Sequence, residues 1–239
     1  IKEKKKLSKE WFLKLQNIIC NTIEQLEDFV ACIVSKSFNE YTGKLRLLWK
    51  DCEETEPIKP FFIDSTTSAF ELFTSGTTGI RKSIPKTFRQ ISNELNVLEM
   101  LWGEKIEDRI SIGTVSHQHI YGLLFRLLWP LCRGTPFTSR ASFYWEEIIS
   151  NVNLSLCFIV SSPTHLNHFS SFHDYITKNN EGKKVVLFSS GGPLNNAVSI
   201  DILKSFGCAP IEVYGSTETG GIAYRQQTSE KDQAWNMFP

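Results

Sequence analysis

Three short strings in this 239-residue chain concentrate hydroxyls, glycines and charges at spacings that suit nucleotide chemistry. The first is Phe73-Thr74-Ser75-Gly76-Thr77-Thr78-Gly79-Ile80-Arg81-Lys82-Ser83. Glycine lets the main chain approach an anion closely, Ser and Thr donate hydrogen bonds, and Arg81 or Lys82 can neutralise charge, which together make a phosphate cradle. The pattern G-x-x-x-x-G-K-[ST] does not fit, because Gly76 and Gly79 are three apart and Lys82 follows no glycine. The second string is Glu212-Val213-Tyr214-Gly215-Ser216-Thr217-Glu218-Thr219-Gly220-Gly221. Mg²⁺ takes one or two carboxylates together with substrate phosphates, so a single Glu beside a phosphate loop has the expected stoichiometry. The ring of Tyr214 can stack on a base or simply pack at a strand end. The third string, Ser189-Ser190-Gly191-Gly192-Pro193-Leu194, joins an expected strand to a helix whose first turn should contain Pro193. Gly-Gly-Pro is also a generic exit from a strand into a helix.

Such loops need a scaffold, and the texture of the chain supplies one. From Ser8 to Ser35 the apolar residues Trp11, Leu15, Ile18, Ile19, Ile23, Leu26, Phe29, Val30 and Ile33 recur at helical spacing, which predicts one long amphipathic helix capped by Ser8. The polar stretch from Lys50 to Pro60 breaks both helical and strand patterns and reads as a linker. Residues 1–60 are therefore expected to be a helical N-terminal segment with its linker, and residues 61–239 the nucleotide-binding core. Beyond the linker, strands are expected at 69–74, 109–115, 156–160, 185–189 and 210–214, with helices at 88–101, 121–131, 163–169 and 195–206. Strand-helix alternation of this kind predicts an α/β layered domain with largely parallel sheets flanked by helices. Ligands of such sheets bind at the carboxyl edge, where all three strings fall.

Composition narrows the function classes. Lys+Arg 26 balances Asp+Glu 26, which removes the broad basic surface that nucleic-acid binding needs. No apolar run reaches the roughly eighteen residues of a membrane-spanning helix, and no signal-type segment follows the charged start, so an unexported cytoplasmic chain is expected. The cysteines Cys20, Cys32, Cys52, Cys132, Cys157 and Cys208 are scattered singly, which favours neither a disulfide framework nor a zinc site. His117 and His119 alternate, but two ligands without a third do not make a metal site. His165, His168 and His173 read as solvated surface residues, and the Leu123 to Trp129 run as a core helix.

The three strings, in this order, resemble the acyl-adenylate-forming superfamily, the AMP-binding synthetases and ligases. FTSGTTGIRKS is similar to that family's phosphate loop, SSGGPL to its adenine-side loop and YGSTETGG to its signature. Ser116-His117-Gln118-His119-Ile120-Tyr121-Gly122 resembles the stretch beside its acyl pocket, and the run through Pro130 resembles members found with fatty-acid-like or aryl-polyene assembly. The resemblance implies that Thr74, Ser75, Gly76, Thr77, Thr78, Gly79 and Lys82 hold the β- and γ-phosphates of ATP. It implies that Gly191, Gly192 and Pro193 line the adenine with Glu212 nearby, that Tyr214, Gly215 and Ser216 lie against the nucleotide, and that Thr217 contacts the α-phosphate region. Glu218 would bind Mg²⁺ and His119 would face a carboxylate substrate, with Lys82, Thr217, Glu218 and His119 as the catalytic set. The implied activity is conversion of a fatty or aryl acid into an acyl-adenylate with release of pyrophosphate, then transfer to the thiol of CoA or of the phosphopantetheine arm of an acyl carrier protein.

Departures from the family pattern are visible. Arg81 stands where proline is usual, and SSGGPL is one residue short. The family's ribose-binding Asp motif, hinge and small C-terminal domain with a catalytic Lys would lie beyond Pro239, so a large N-terminal domain in a fragment or a truncated protein is expected. A competing reading is a non-catalytic nucleotide-binding or scaffold remnant of this fold, against which Lys82, Thr217 and Glu218 all stand. A serine hydrolase would need G-x-S-x-G, which Gly215-Ser216-Thr217-Glu218 does not supply.

Overall fold

The computed structural model describes residues 31–34, 45–48, 64–75, 81–133, 135–138, 141–142, 144–146, 148, 156–168, 185–229 and 233–239. The chain divides into two units, Ile1–Phe62 and Ile63–Pro239. In the first, β1 (Ala31–Val34) pairs in parallel with β2 (Leu45–Leu48). The helix expected over 8–35 therefore does not reach its last residues; Ile33 and Val34 are β-branched, and their restricted side-chain torsions suit an extended ladder better. The rest of that helix and the linker over 50–60 lie outside the described residues.

The second unit opens with an antiparallel hairpin of β3 (Ser68–Ser75) and β4 (Arg81–Thr87), in which Thr74 lies opposite Lys82 and Ser75 opposite Arg81. Of the string from Phe73 to Ser83, Phe73–Ser75 and Arg81–Ser83 are paired strand. Gly76, Thr77, Thr78 and Gly79 lie outside the described residues. Helix α1 (Phe88–Trp102) follows β4 directly, because Thr87 and Gln90 form a reciprocal capping box that ends the strand and starts the helix.

A six-stranded sheet forms the centre of this unit. It runs in the order β10-β9-β8-β7-β6-β5 from β5 (Ile110–Gly113), β6 (Cys157–Ser161), β7 (Val186–Ser189), β8 (Ile211–Ser216), β9 (Gly220–Gln226) and β10 (Asn236–Met237). β5 to β8 are parallel neighbours, as the α/β alternation predicts, while β9 and β10 add an antiparallel flank that was not expected. β9 opens with two glycines, which weaken its strand signal.

Both sheet faces are covered. Along β6, Cys157 and Ile159 point into one core with Leu187, Ile202 and Phe206, while Phe158 and Val160 point into the other with Leu98, Trp102 and Phe188. The second core is packed by α1 and by α2. The latter comprises a turn at Ile120–Gly122, a π-helical stretch at Leu123–Leu128 and an α-helical turn at Trp129–Arg133. Pro130 cannot donate to the Arg126 carbonyl, which the Ser111 hydroxyl approaches at 3.5 Å, so the expected core helix loses its regular ladder there. Helix α3 is short (Pro163–Leu166). Helix α4 (Asn196–Phe206) starts one residue after Asn195, whose side chain accepts from the Ala197 amide. Pro193 therefore lies in the loop before the cap rather than in the first turn, because Asn is the stronger N-cap.

Candidate active site

A cavity of about 260 Å³ opens at the carboxyl ends of β7 and β8. Its polar side presents His119, Ser190, Gly191, Gly215, Ser216 and Thr217. Its apolar wall is Ile120, Leu124, Phe125, Val213 and Phe238, and one carboxylate, Glu94, joins the lining. Five residues expected at the site, His119, Gly191, Gly215, Ser216 and Thr217, thus line one space although they come from three separate segments.

The loop over 190–194, expected on the base side of a nucleotide, is set from behind. Gly191 has φ of 92°, a left-handed conformation that favours glycine, and a Cβ built there would meet nothing within 4 Å. The main chain is therefore open to close approach by a ligand. Ser190 donates to the Val213 carbonyl at 2.7 Å, tying the loop to β8. Glu212, only 2 % exposed, accepts from the Leu194 amide at 3.1 Å, from Arg225 at 3.0 and 3.3 Å and from Gln227 at 2.6 Å. With both oxygens engaged by protein donors, Glu212 acts here by holding the loop. Gly192 and Pro193 are exposed next to it.

β8 runs on to Ser216 and turns into β9 through Thr217, Glu218 and Thr219, so the signature string is a hairpin rather than an open loop. Reciprocal bonds between Ser216 and Thr219 close the turn. The register shifts between Tyr214 and Gly215, and such irregularities re-aim neighbouring side chains. Tyr214 is 58 % exposed, with its ring 5.7 Å from that of Trp235, which in turn lies 4.6 Å from the Arg225 guanidinium. A flat aromatic face is thus presented beside the base-side loop.

Glu218 is exposed, and its own backbone amide and the Ser216 hydroxyl hold its carboxyl below the ordinary range, with Lys82 and Lys86 contributing. Lys82 is likewise exposed on β4, so the hairpin brings a cation towards the turn that carries Glu218. An available carboxylate, a nearby lysine, hydroxyls and an open glycine backbone fit Mg²⁺ and nucleotide phosphates.

The segment expected on the acyl side is anchored by a buried arginine. Arg126 donates to the carbonyls of Val115 and Thr138, which fixes the chain leading to His117 and His119. Burial and the charge of Arg126 lower the His117 imidazole below its usual value. His119 is exposed at the cavity rim. His165, expected to be solvated, is half-buried and shares a 2.8 Å bond with Ser162, while its carbonyl accepts from Trp145. His173 lies outside the described residues.

Two site residues were not expected. Lys86 is 5 % exposed and shares the inward face of β4 with Ile84, two residues away. Glu94 falls on the buried stripe of α1, three residues after Ile91 and four before Leu98. Glu94 puts a charge on an otherwise apolar helical stripe, which is the signal that marks it in the sequence, whereas Lys86 shares its strand face with Lys82 and Ile84 and carries no such signal.

Residues 14–238 match the family described as AMP-binding enzyme, and the chain belongs to that family. It is 28% identical to a 4-coumarate–CoA ligase of Cereibacter sphaeroides, over 71% of this chain and 39% of the relative. It is 23% identical to an acetyl-coenzyme A synthetase of Cryptosporidium parvum, over 88% of this chain and 32% of the relative. The chain thus spans a third to two-fifths of these relatives. Among solved structures, a malonyl-CoA ligase with methylmalonyl-CoA and AMP bound superposes with a TM-score of 0.70, at 21% identity, over 85% of this chain and 45% of that one. Among the described residues, no helix is long and apolar enough to cross a membrane.

Proposed function

We propose that this chain binds ATP and a carboxylic acid for an AMP-forming acid–thiol ligase. A carboxylate oxygen of the acid attacks the α-phosphorus of ATP, the bond to the β-phosphate oxygen breaks, and pyrophosphate leaves with the electron pair. The resulting acyl-adenylate is then attacked at its carbonyl by a thiol, which forms a thioester and expels AMP. The observation that carries this reading is one cavity that combines an apolar wall of Ile120, Leu124, Phe125, Val213 and Phe238 with His119, the hydroxyls of Ser216 and Thr217 and the open backbone of Gly191. Such a space holds an acyl group and the α-phosphate region together, and proximity of that kind supplies much of the rate in displacement chemistry.

Little covalent work falls to the protein. Lys82, Thr74, Ser75 and the hydroxyls and amides of 76–79 orient the β- and γ-phosphates, Thr217 contacts the α-phosphate region, and His119 faces the attacking carboxylate. Tyr214, with Gly191, Gly192 and Pro193, takes the base. Glu218 would hold Mg²⁺, which when bound neutralises charge on the phosphate oxygens. The cavity's apolar wall favours a fatty or aryl acid of limited size. Relatives named for 4-coumarate, acetate and, in a [acyl-carrier-protein] ligase of Moorena producens that is 33% identical over 88 residues, a medium-chain fatty acid support that class, with CoA or a carrier protein as acceptor.

Calorimetry with AMP and with a series of N-acylsulfamoyl adenosines tests this reading. Each methylene buried against the wall contributes about 0.8 kcal/mol, so affinity should rise roughly fourfold per carbon until the cavity is full and then fall. His119→Ala should weaken the acyl compounds and leave AMP nearly unchanged. Equal affinity for AMP and every acyl compound would overturn the acyl assignment.

A further inference from the structure

The turn between β8 and β9 carries Thr217 and Glu218, yet its own bonds, between Ser216 and Thr219, do not fix where it stands relative to the phosphate-binding hairpin. Two side chains from the β4–α1 corner do. Lys86, buried on β4 four residues after Lys82, donates from Nζ to the Glu218 carbonyl at 3.0 Å. Glu94, two turns into α1, accepts the Gly221 amide on both carboxylate oxygens, at 3.1 and 3.2 Å. The two bonds grip the turn on either side of Thr219 and Gly220. Gly220 is part of the fit: it has φ of 74°, and a Cβ built there would lie 1.4 Å from the Glu94 carboxylate. The carboxylate occupies the space a side chain would need.

Resting on the nucleotide reading above, we propose that Lys86 and Glu94 are positioning residues that set Thr217 and Glu218 against the phosphate hairpin. Neither reaches the turn from a distant scaffold. Lys86 belongs to the strand that carries Lys82, and the capping box joins that strand to the helix of Glu94. Any shift of the hairpin on phosphate binding is therefore passed to the metal-binding carboxylate, and the reverse. Both residues also line a second cavity of about 210 Å³ with Gln90, Asn93, Thr219 and Pro239. Glu94, Ile120, Gly221 and Phe238 border both spaces, so the clamp contributes Glu94 to the boundary between them.

The test compares Mg·ATP with AMP in EDTA, by calorimetry on the full chain. A merely structural role would weaken both alike, whereas loss of positioning falls on the ligand that engages Glu218 and the phosphate hairpin together. Lys86→Met should weaken Mg·ATP roughly tenfold or more and AMP much less, the scale of one hydrogen bond to a charged group, and Lys86→Arg should restore part of the loss. If Lys86→Met does not fold, the pair Glu94→Gln and Glu94→Leu decides. Gln keeps an oxygen for the Gly221 amide and should retain most of the Mg·ATP affinity; Leu should lose it. Hydrogen exchange at the Gly221 amide without ligand should speed up in Glu94→Leu and not in Glu94→Gln. Wild-type affinity for Mg·ATP in Glu94→Leu, or equal losses for Mg·ATP and AMP, would overturn the inference alone. No binding of either nucleotide by the wild-type chain would overturn the nucleotide reading and this inference with it.

Discussion

Glu212 and Arg225 lie directly opposite each other on β8 and β9, with Oε1 3.0 Å from Nε, and their pairing stands behind the base-side loop. Their side chains are 3% and 15% exposed. Breaking a buried pair by removing one partner leaves the other charge uncompensated and costs about 3–5 kcal/mol. Glu212→Ala should fall near the lower end, because Arg225 keeps its stacking on Trp235. Urea unfolding would measure it, and Glu212→Gln, which can still accept the Leu194 amide, should lose less. An unchanged midpoint in Glu212→Ala would contradict the role given to this pair.

A pH dependence follows from Glu94. Burial raises its carboxyl above the ordinary range, against the opposing pull of the Gly221 amide and the charge of Lys86. Folding therefore favours the protonated form. That contribution is whole below the ordinary carboxylate range and is lost as pH rises through the raised value. Glu94→Gln removes the titration. Its melting temperature relative to wild type should thus rise with pH across the window from the ordinary carboxylate range to the raised value. A constant difference across that window would contradict the raised value.

Gly220→Ala should be destabilising for two separable reasons. The left-handed backbone costs an alanine about 1 kcal/mol, and the added methyl displaces the Glu94 carboxylate from the Gly221 amide. In a Glu94→Ala background only the backbone cost remains. A double-mutant cycle read by denaturant unfolding should therefore show coupling of about 1 kcal/mol or more between the two positions. Additive effects would mean that the carboxylate does not occupy the space beside Gly220.

The parts of the fold legible in the sequence are those set by local pattern. β6 and β7 are apolar runs buried on both faces, and α1 and α4 carry clear helical periodicity with Thr87 and Asn195 as caps. The site strings were legible because glycines and hydroxyls crowd each of them, with cations in the first and carboxylates in the second. The hairpin nature of two of them was not, since Arg81 to Thr87 and Gly220 to Gln226 become strands only by pairing with β3 and β8. Ile33 and Val34 were assigned to a helix from spacing alone, and the parallel partner at 45–48 carries no signal in their own neighbourhood. The resemblance alone places Glu212 near the adenine; the bonds it accepts from Arg225, Gln227 and Leu194 depend on residues that β9 and the base-side loop bring to it. Lys86 and Glu94 escaped notice because the turn they hold lies more than a hundred residues further along the chain.

We propose that the exposed carboxylate of Glu218 and the β3–β4 hairpin that carries Lys82 make a Mg·ATP site. Calorimetric titration of the chain with Mg·ATP, beside Glu218→Ala, tests it most directly. Saturable binding that weakens by about a hundredfold or more in the variant, the scale for losing one charge partner of the phosphates, is the result predicted. Equal affinity in both chains, or no saturable binding by the wild-type chain, would contradict it.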